Sequence, residues 1–431
     1  MKKLFYIFAV LLLTGCLAVS GTAPVTSPNI GQAQPLLSTR DWDFPYAEHT
    51  QIAASGANDF AFRLSAAIAQ SAGYDSFVVS PFSVWMPLAA LVNATEGEHR
   101  EDLLKVLGAT GLDADDINRA ASRMLYDLTN EAERDTDWYR GNPLRIANAI
   151  FVDYEWPLRV DFAQRFLDYF RGDIMNVDFL SQDAVDAVNQ WAYDNTEGLI
   201  SDLVQEFESD TAAVIANAIY FASRWTQEFD PEETSEGVFY SPSGEVSAYF
   251  MLREGLFLPY FEDEYVQATE FYFSARGGMT IILPRSGDAV GLLSEMTAER
   301  FEEITMSPRE GRILLPRFSI ATTIDDLPDI LAGMGVTLFD EVAAPLTGGL
   351  LETSLPVWLS DAIQKAMIEV DEEGTTAAAV TLMMAMAAGA PFAEDDEPFE
   401  MICDSPFAFI LWGFTHDGGR QVLFTGVVNQ P

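Results

Sequence analysis

Apolar and polar positions change their period along the chain. Phe60, Leu64, Ala67 and Ile68 share one face of a helical pattern over Asn58–Gln70, and Gly73 can stop it. Ser80-Pro81 reads as an N-cap followed by proline in the first turn. The residues after it, F-S-V-W-M-P-L-A-A-L, are apolar enough to be buried, and Pro87 is expected to kink or shorten that helix. Thr95-Glu96-Gly97-Glu98 fits a capping box ahead of Leu103, Leu104 and Leu107. Asp113–Leu128, Pro157–Phe170 and Ala184–Tyr193 read as further helices, the last two ended by Gly172 and near Gly198. Arg145–Val152 reads as a buried strand. Ala212–Phe221, almost wholly apolar, reads as a central strand covered on both faces. From Val238 strands dominate: Met279–Leu283, Arg312–Leu315, and Ala408–Phe414 joined to Gln421–Val428 by a Thr415–Gly419 turn. Helices first and strands later predict an α+β domain, and no internal repeat is visible.

One stretch fits none of these periods. Glu369–Ala393 reads E-V-D-E-E-G-T-T-A-A-A-V-T-L-M-M-A-M-A-A-G-A-P-F-A, uncharged from Gly374 until Glu394. A helix is opposed by Thr375, Thr376, Val380 and Thr381 and by the lack of an apolar stripe. A membrane span has the length but is broken by Gly389 and Pro391 and flanked by acids. A plain loop is a third reading. A fourth is a loop that can become a strand: alternate residues Thr375, Ala377, Ala379, Thr381, Met383 and Ala385 would face one side, all uncharged and mostly small.

Composition narrows the partners. The 431 residues carry a formal net charge of −42, which excludes a nucleic-acid role that needs a basic surface. The lysines are Lys2, Lys3, Lys105 and Lys365, so arginine supplies nearly all positive charge; such a surface suits salty or solubility-demanding surroundings. Lys2 and Lys3 followed by the apolar run Leu4–Leu13 read as a secretion signal, residues 1–16. Leu13-Thr14-Gly15-Cys16 is similar to a prokaryotic lipobox, which would lipidate Cys16 and hold the protein on the outer side of the cytoplasmic membrane; an ordinary cleaved signal is the alternative. Residues 17–50 then form a tether, whose charge-free part Leu17–Thr39 would reach about 25 Å. With Cys16 used, Cys403 has no partner within the chain and is expected to be a small core residue in a strand. His49, His99 and His416 show no zinc spacing, and no G-x-S-x-G elbow or phosphate loop occurs. The expectation is therefore that the protein is not an enzyme and needs no cofactor or metal.

The run D-E-E-G-T-T-A-A-A resembles the hinge of the reactive-centre loop in serpins, and the Ile363–Val370 strand before it resembles the strand that feeds that loop. Other motifs follow in family order: V-S-P-F-S-V (Val79–Val84), N-A-I-F-V (Asn148–Val152), N-V-D-F (Asn176–Phe179), Asn189–Ile200, N-A-I-Y-F-A-S-R-W (Asn217–Trp225), D-S-P-F-A-F-I-L-W (Asp404–Trp412) and Leu423–Pro431. The resemblance covers roughly Ala57 to Pro431. It implies a single domain, residues 51–431, of three sheets and eight or nine helices with an exposed loop. It also implies a suicide-substrate inhibitor whose cut loop enters the central sheet. Glu372, Gly374, Thr375, Thr376, Ala377, Ala378 and Ala379 would be the hinge. Ser80, Ser83 and Asn217 would form the shutter and Trp225 the breach. Gln364 stands where many serpins have a histidine bonding the shutter asparagine, a network the amide could keep. Counting seventeen residues from Glu372 places the scissile bond at Ala388-Gly389, with Met386-Ala387 and Ala387-Ala388 open. These side chains favour elastase-like or subtilisin-like serine proteases. The alternative is a non-inhibitory binding or structural protein of the same fold; a lipoprotein unrelated to serpins that binds small solutes is a third reading. The protein is expected to work as a monomer.

Overall fold

The computed structural model describes residues 7–16, 45–73, 75–129, 144–198, 200–221, 223–273, 277–374 and 397–431. The first half is mainly helical: β1 (Ile7–Cys16), α1 (Glu48–Ala72), β2 (Phe77–Val79), α2 (Pro81–Leu91), α3 (Gly97–Val106), α4 (Ala114–Thr129), β3 (Leu144–Asp153), α5 (Val160–Phe170), β4 (Asp173–Val177) and α6 (Gln182–Asn195). The second half is mainly sheet: β5 (Thr211–Phe221), β6 (Ser235–Ser241), β7 (Gly244–Glu262), β8 (Val266–Tyr272), β9 (Gly277–Pro284), α7 (Ala289–Glu295), α8 (Ala298–Glu303), β10 (Ser307–Pro316), β11 (Phe318–Ile324), α9 (Leu327–Gly333), β12 (Trp358–Val370), β13 (Phe399–Ile402), β14 (Phe407–Phe414) and β15 (Arg420–Val428).

The strands make three sheets. The first has the order β11-β12-β1-β5-β3-β4. The other two meet on the long β7. Its earlier part pairs with β6 and with β10, which carries β13; its last residues start the run β8-β9-β14-β15-β2. Every residue of β5 is buried, because helices and sheet cover both its faces. The α2 helix is buried along its whole length and lies under β5 and β15.

Several sequence expectations change in detail. Helix α1 begins at Glu48, inside the segment assigned to the tether. Helix α2 runs through Pro87 for four more residues instead of ending there. Proline removes one internal hydrogen bond, and the complete burial of α2 compensates. The capping box at Thr95 does not form: the N-cap is Glu96 with no side-chain bond, and the Thr95 hydroxyl donates to Val92 O. Helix α5 turns out at Arg171, in the left-handed region at φ 51°, one residue before Gly172. Cys403 is buried as expected but follows β13 instead of lying in a strand. Burial pushes its thiol pKa far up, so it is inert.

The slot between β12 and β5 holds β1, antiparallel to both neighbours. Phe8 lies opposite Met367 and Tyr220, and Leu11 opposite Gln364 and Asn217. The ladder slips at Thr14/Gly15 against β12 and at Gly15/Cys16 against β5. The run read as a secretion signal therefore occupies a place in the central sheet of this folded chain.

Candidate functional site: hinge, breach and shutter

The end of β12 carries the chain into the hinge. Trp225, 3% exposed, forms the floor there. Its ring stacks on Phe273 at 4.7 Å between centroids and lies 5.5 Å from Phe271. Its indole N–H donates to Asp371 O at 3.0 Å, and the Phe229 N–H donates to Glu372 O at the same distance. Two backbone groups of the hinge are thus held by an aromatic corner that β5, β8 and their connections build.

The Glu372 side chain is the charged fastening. Its Oε1 accepts from Arg317 Nε at 2.8 Å and Nη2 at 2.5 Å, and from the Thr234 hydroxyl. Burial acts to raise its pKa, but the bonds from Arg317 and Thr234 outweigh it and hold the carboxyl below the usual range. Among the described residues Asp371 has no such ion-pair partner. Burial first, then the charges of Glu372, Glu369 and Glu373, push its carboxyl up to about 6, against one opposing bond from the Glu373 N–H.

Gly374 closes the described part of the hinge at φ 68°. A Cβ there would come within 2.3 Å of Trp225 N and 2.5 Å of Arg224 Cα. Glycine is needed both for this approach of two backbones and for the left-handed φ. The other hinge residues (Thr375, Thr376, Ala377, Ala378 and Ala379) and the bond Ala388-Gly389 lie outside the described residues.

Lower in the sheet, Ser80, Ser83, Asn217 and Gln364 are all completely buried. Ser80 caps α2, its Oγ accepting from Ser83 N and donating to Leu423 O at 2.8 Å. Gln364 does not reach Asn217, which corrects the expected network. Its Nε2 donates to Ser80 O at 2.8 Å and its Oε1 accepts from Ser80 N at 3.2 Å, a two-point grip on the backbone of one residue. Asn217 instead donates to Asn148 Oδ1 at 2.7 Å, and Asn148 donates to Phe170 O at 2.7 Å. The physical reason is the occupied slot: with Leu11 paired to both, Gln364 and Asn217 stand two strand spacings apart, beyond hydrogen-bond reach. Asn217 Oδ1 is left without a partner among the described residues. Cys16, the expected lipidation residue, ends β1 opposite Trp358 and Thr211.

Sequence reasoning missed Arg317, Thr234, Phe229 and Asn148. Asn148 stood inside a quoted motif but without a role. Arg317 follows the strand Arg312–Leu315, and only the fold shows that it meets a residue 55 positions later.

The family model described as Serpin (serine protease inhibitor) matches residues 55–431. The chain is a serpin. It is 32% identical to antichymotrypsin-2 of Bombyx mori over 86% of its own length and 96% of that protein's. It is 33% identical to antitrypsin of Bombyx mori, over 75% and 82% of the two chains. An uncharacterised serpin-like protein of Thermococcus kodakarensis matches at 29% identity over 100% of this chain and 99% of its own. The crystal structure of human glycosylated kallistatin superposes with a TM-score of 0.72 at 23% identity, covering 89% of this chain and 99% of that one; it shows the serpin fold alone. The expectation that the protein is not an enzyme is corrected by the family match to a description as a serine protease inhibitor.

Proposed function

We propose that this serpin is a suicide-substrate inhibitor of elastase-like or subtilisin-like serine proteases and that its loop enters the slot between β12 and β5. The observation that carries this reading is the slot itself. It takes a ten-residue strand antiparallel to both walls, the sense a chain would have on leaving Val370 and turning back. Strand addition into a sheet is a known recognition mode, serpin loop insertion among its instances. The relatives named antichymotrypsin and antitrypsin support protease inhibition as the activity.

In the proposed reaction the protease's serine Oγ attacks the Ala388 carbonyl carbon. The Ala388–Gly389 bond breaks, the Gly389 nitrogen takes a proton from the protease's general acid, and an acyl-enzyme remains on Ala388. About 14 residues of loop would then form a strand of about 46 Å. At about 1 kcal/mol net per hydrogen bond, a dozen new bonds give on the order of 10 kcal/mol to displace the protease. Thr375 would be the first inward side chain, so Thr375→Arg should be cleaved without trapping. The experiment is a denaturing gel after incubation with elastase-type and subtilisin-type proteases, with mass spectrometry of the released peptide. A covalent band at the summed mass and a peptide starting at Gly389 support the reading. Cleavage without any complex overturns it in favour of a non-inhibitory serpin.

Cys16 is proposed as the lipidation site of a protein displayed outside the cytoplasmic membrane, with the residues before it as the leader that is removed. Mass spectrometry of the mature N-terminus tests this: an acylated Cys16 supports it, and an unmodified terminus elsewhere overturns it. In the lipidated form the leader is gone and the slot is free for the loop.

A further inference from the structure

We propose that the hinge is a proton-linked latch: a proton on Asp371 holds residues 371–374 against Trp225 and Phe229, and its loss favours their release and so the entry of the loop. This rests on the insertion reading but is tested independently of it. Asp371 follows β12 half-buried, with Glu369, Glu372 and Glu373 around it on its own segment. The guanidinium groups of the surrounding elements are engaged elsewhere. Arg317, between β10 and β11, is held by Glu372. Arg224, after β5, pairs with Glu228 at 2.8 Å. Arg253, on β7, donates to Gln227 O and lies over the Phe229 ring at 4.4 Å. Among the described residues Asp371 forms no ion pair, so its charge in the closed hinge meets burial and other carboxylates.

The sign follows from linkage. A carboxyl whose pKa is about 6 in the closed hinge and about 3.9 in water binds more protons closed than open. Acid therefore favours the closed hinge. As pH rises through 6 that preference is lost, tenfold per unit at most. Glu372 works in the opposite direction, since its pKa is depressed and acid weakens its grip on Arg317. Above the ordinary glutamate range Glu372 stays charged, so its opposing effect lies at lower pH than that of Asp371.

The Phe229 amide, which donates to Glu372 O, reports the closed hinge directly. Hydrogen exchange of the full chain would be followed by mass spectrometry at pH 5 and pH 7, corrected for intrinsic exchange. The expected result is about tenfold greater protection at pH 5. In Asp371→Asn protection should be high and equal at both values. In Glu373→Gln, where one repelling charge is gone, the pH dependence should persist with a lower midpoint. Equal protection at both values in the natural chain, or pH dependence retained in Asp371→Asn with an unchanged fold by circular dichroism, overturns the latch. Because no protease is used, a failure to trap proteases and a failure of the latch are separate results.

Discussion

Breach and shutter hold the same two strands at two heights, and they do so by opposite chemistry. The shutter is neutral and buried: the Gln364 amide grips the Ser80 backbone, and separately Asn217 donates to Asn148, which donates to Phe170 O. The breach is charged and open to water on one side: Glu372 is 4% exposed, but the Arg317 side chain that meets it is 44% exposed. A buried neutral network gains its strength from the desolvation cost of breaking it. A half-exposed ion pair is worth less and depends on pH and salt. The lower fastening is therefore set to stay closed and the upper one to be released, which is the order a loop entering from the top requires.

The largest test of this contrast removes what lies between the strands. A chain lacking residues 1–19 loses the β1 ladders to β5 and β12, on the order of 10 kcal/mol by hydrogen-bond accounting. Its denaturant midpoint should fall well below that of the full chain, and it should accept a loop-mimicking peptide faster on native gels. Equal midpoints would show that β1 adds nothing to the sheet. Next, Gln364→Leu leaves the Ser80 N–H and C=O buried without their partner. The expected cost is about 2–4 kcal/mol, equal at pH 5 and pH 7, read as a shift in the urea midpoint. Gly374→Ala should cost about 1–3 kcal/mol, because the left-handed φ and the 2.3 Å approach to Trp225 N are both violated; the loss should appear as faster exchange at Phe229. The smallest effect belongs to Glu372→Gln, at most about 1 kcal/mol because Arg317 faces solvent. Its sign is fixed: a depressed native pKa gives stability that is present above the ordinary glutamate range and is lost as pH falls through the native value. The melting-temperature difference between natural chain and variant should thus shrink from pH 7 to pH 3, with no such change in Gln364→Leu.

The elements legible in the sequence were those decided within one segment. The Ser80 cap with Pro81 and the all-buried β5 are set by neighbours a few residues away. Where long-range packing decides, the local signal misled. Pro87 stays helical because every residue of α2 is buried, and Thr95 turns its hydroxyl back to Val92 and leaves the box unformed. At the site, the sequence could mark Glu372, Gly374, Gln364 and Asn217 but not their partners. Which acceptor Gln364 finds depends on whether a strand stands between it and Asn217, and that is a property of the sheet's state. Arg317 and Thr234 come from two connections that only the folded chain brings to Glu372.

Gly374 passes the Arg224–Trp225 backbone with no room for a methyl group between them. A contact of that thickness leaves no space for water between the two backbones at this point. The passage of residue 374 away from this point should therefore behave as a single discrete event with its own activation barrier, so that one molecule waits and then switches, and a population shows a rate and not a gradual loosening.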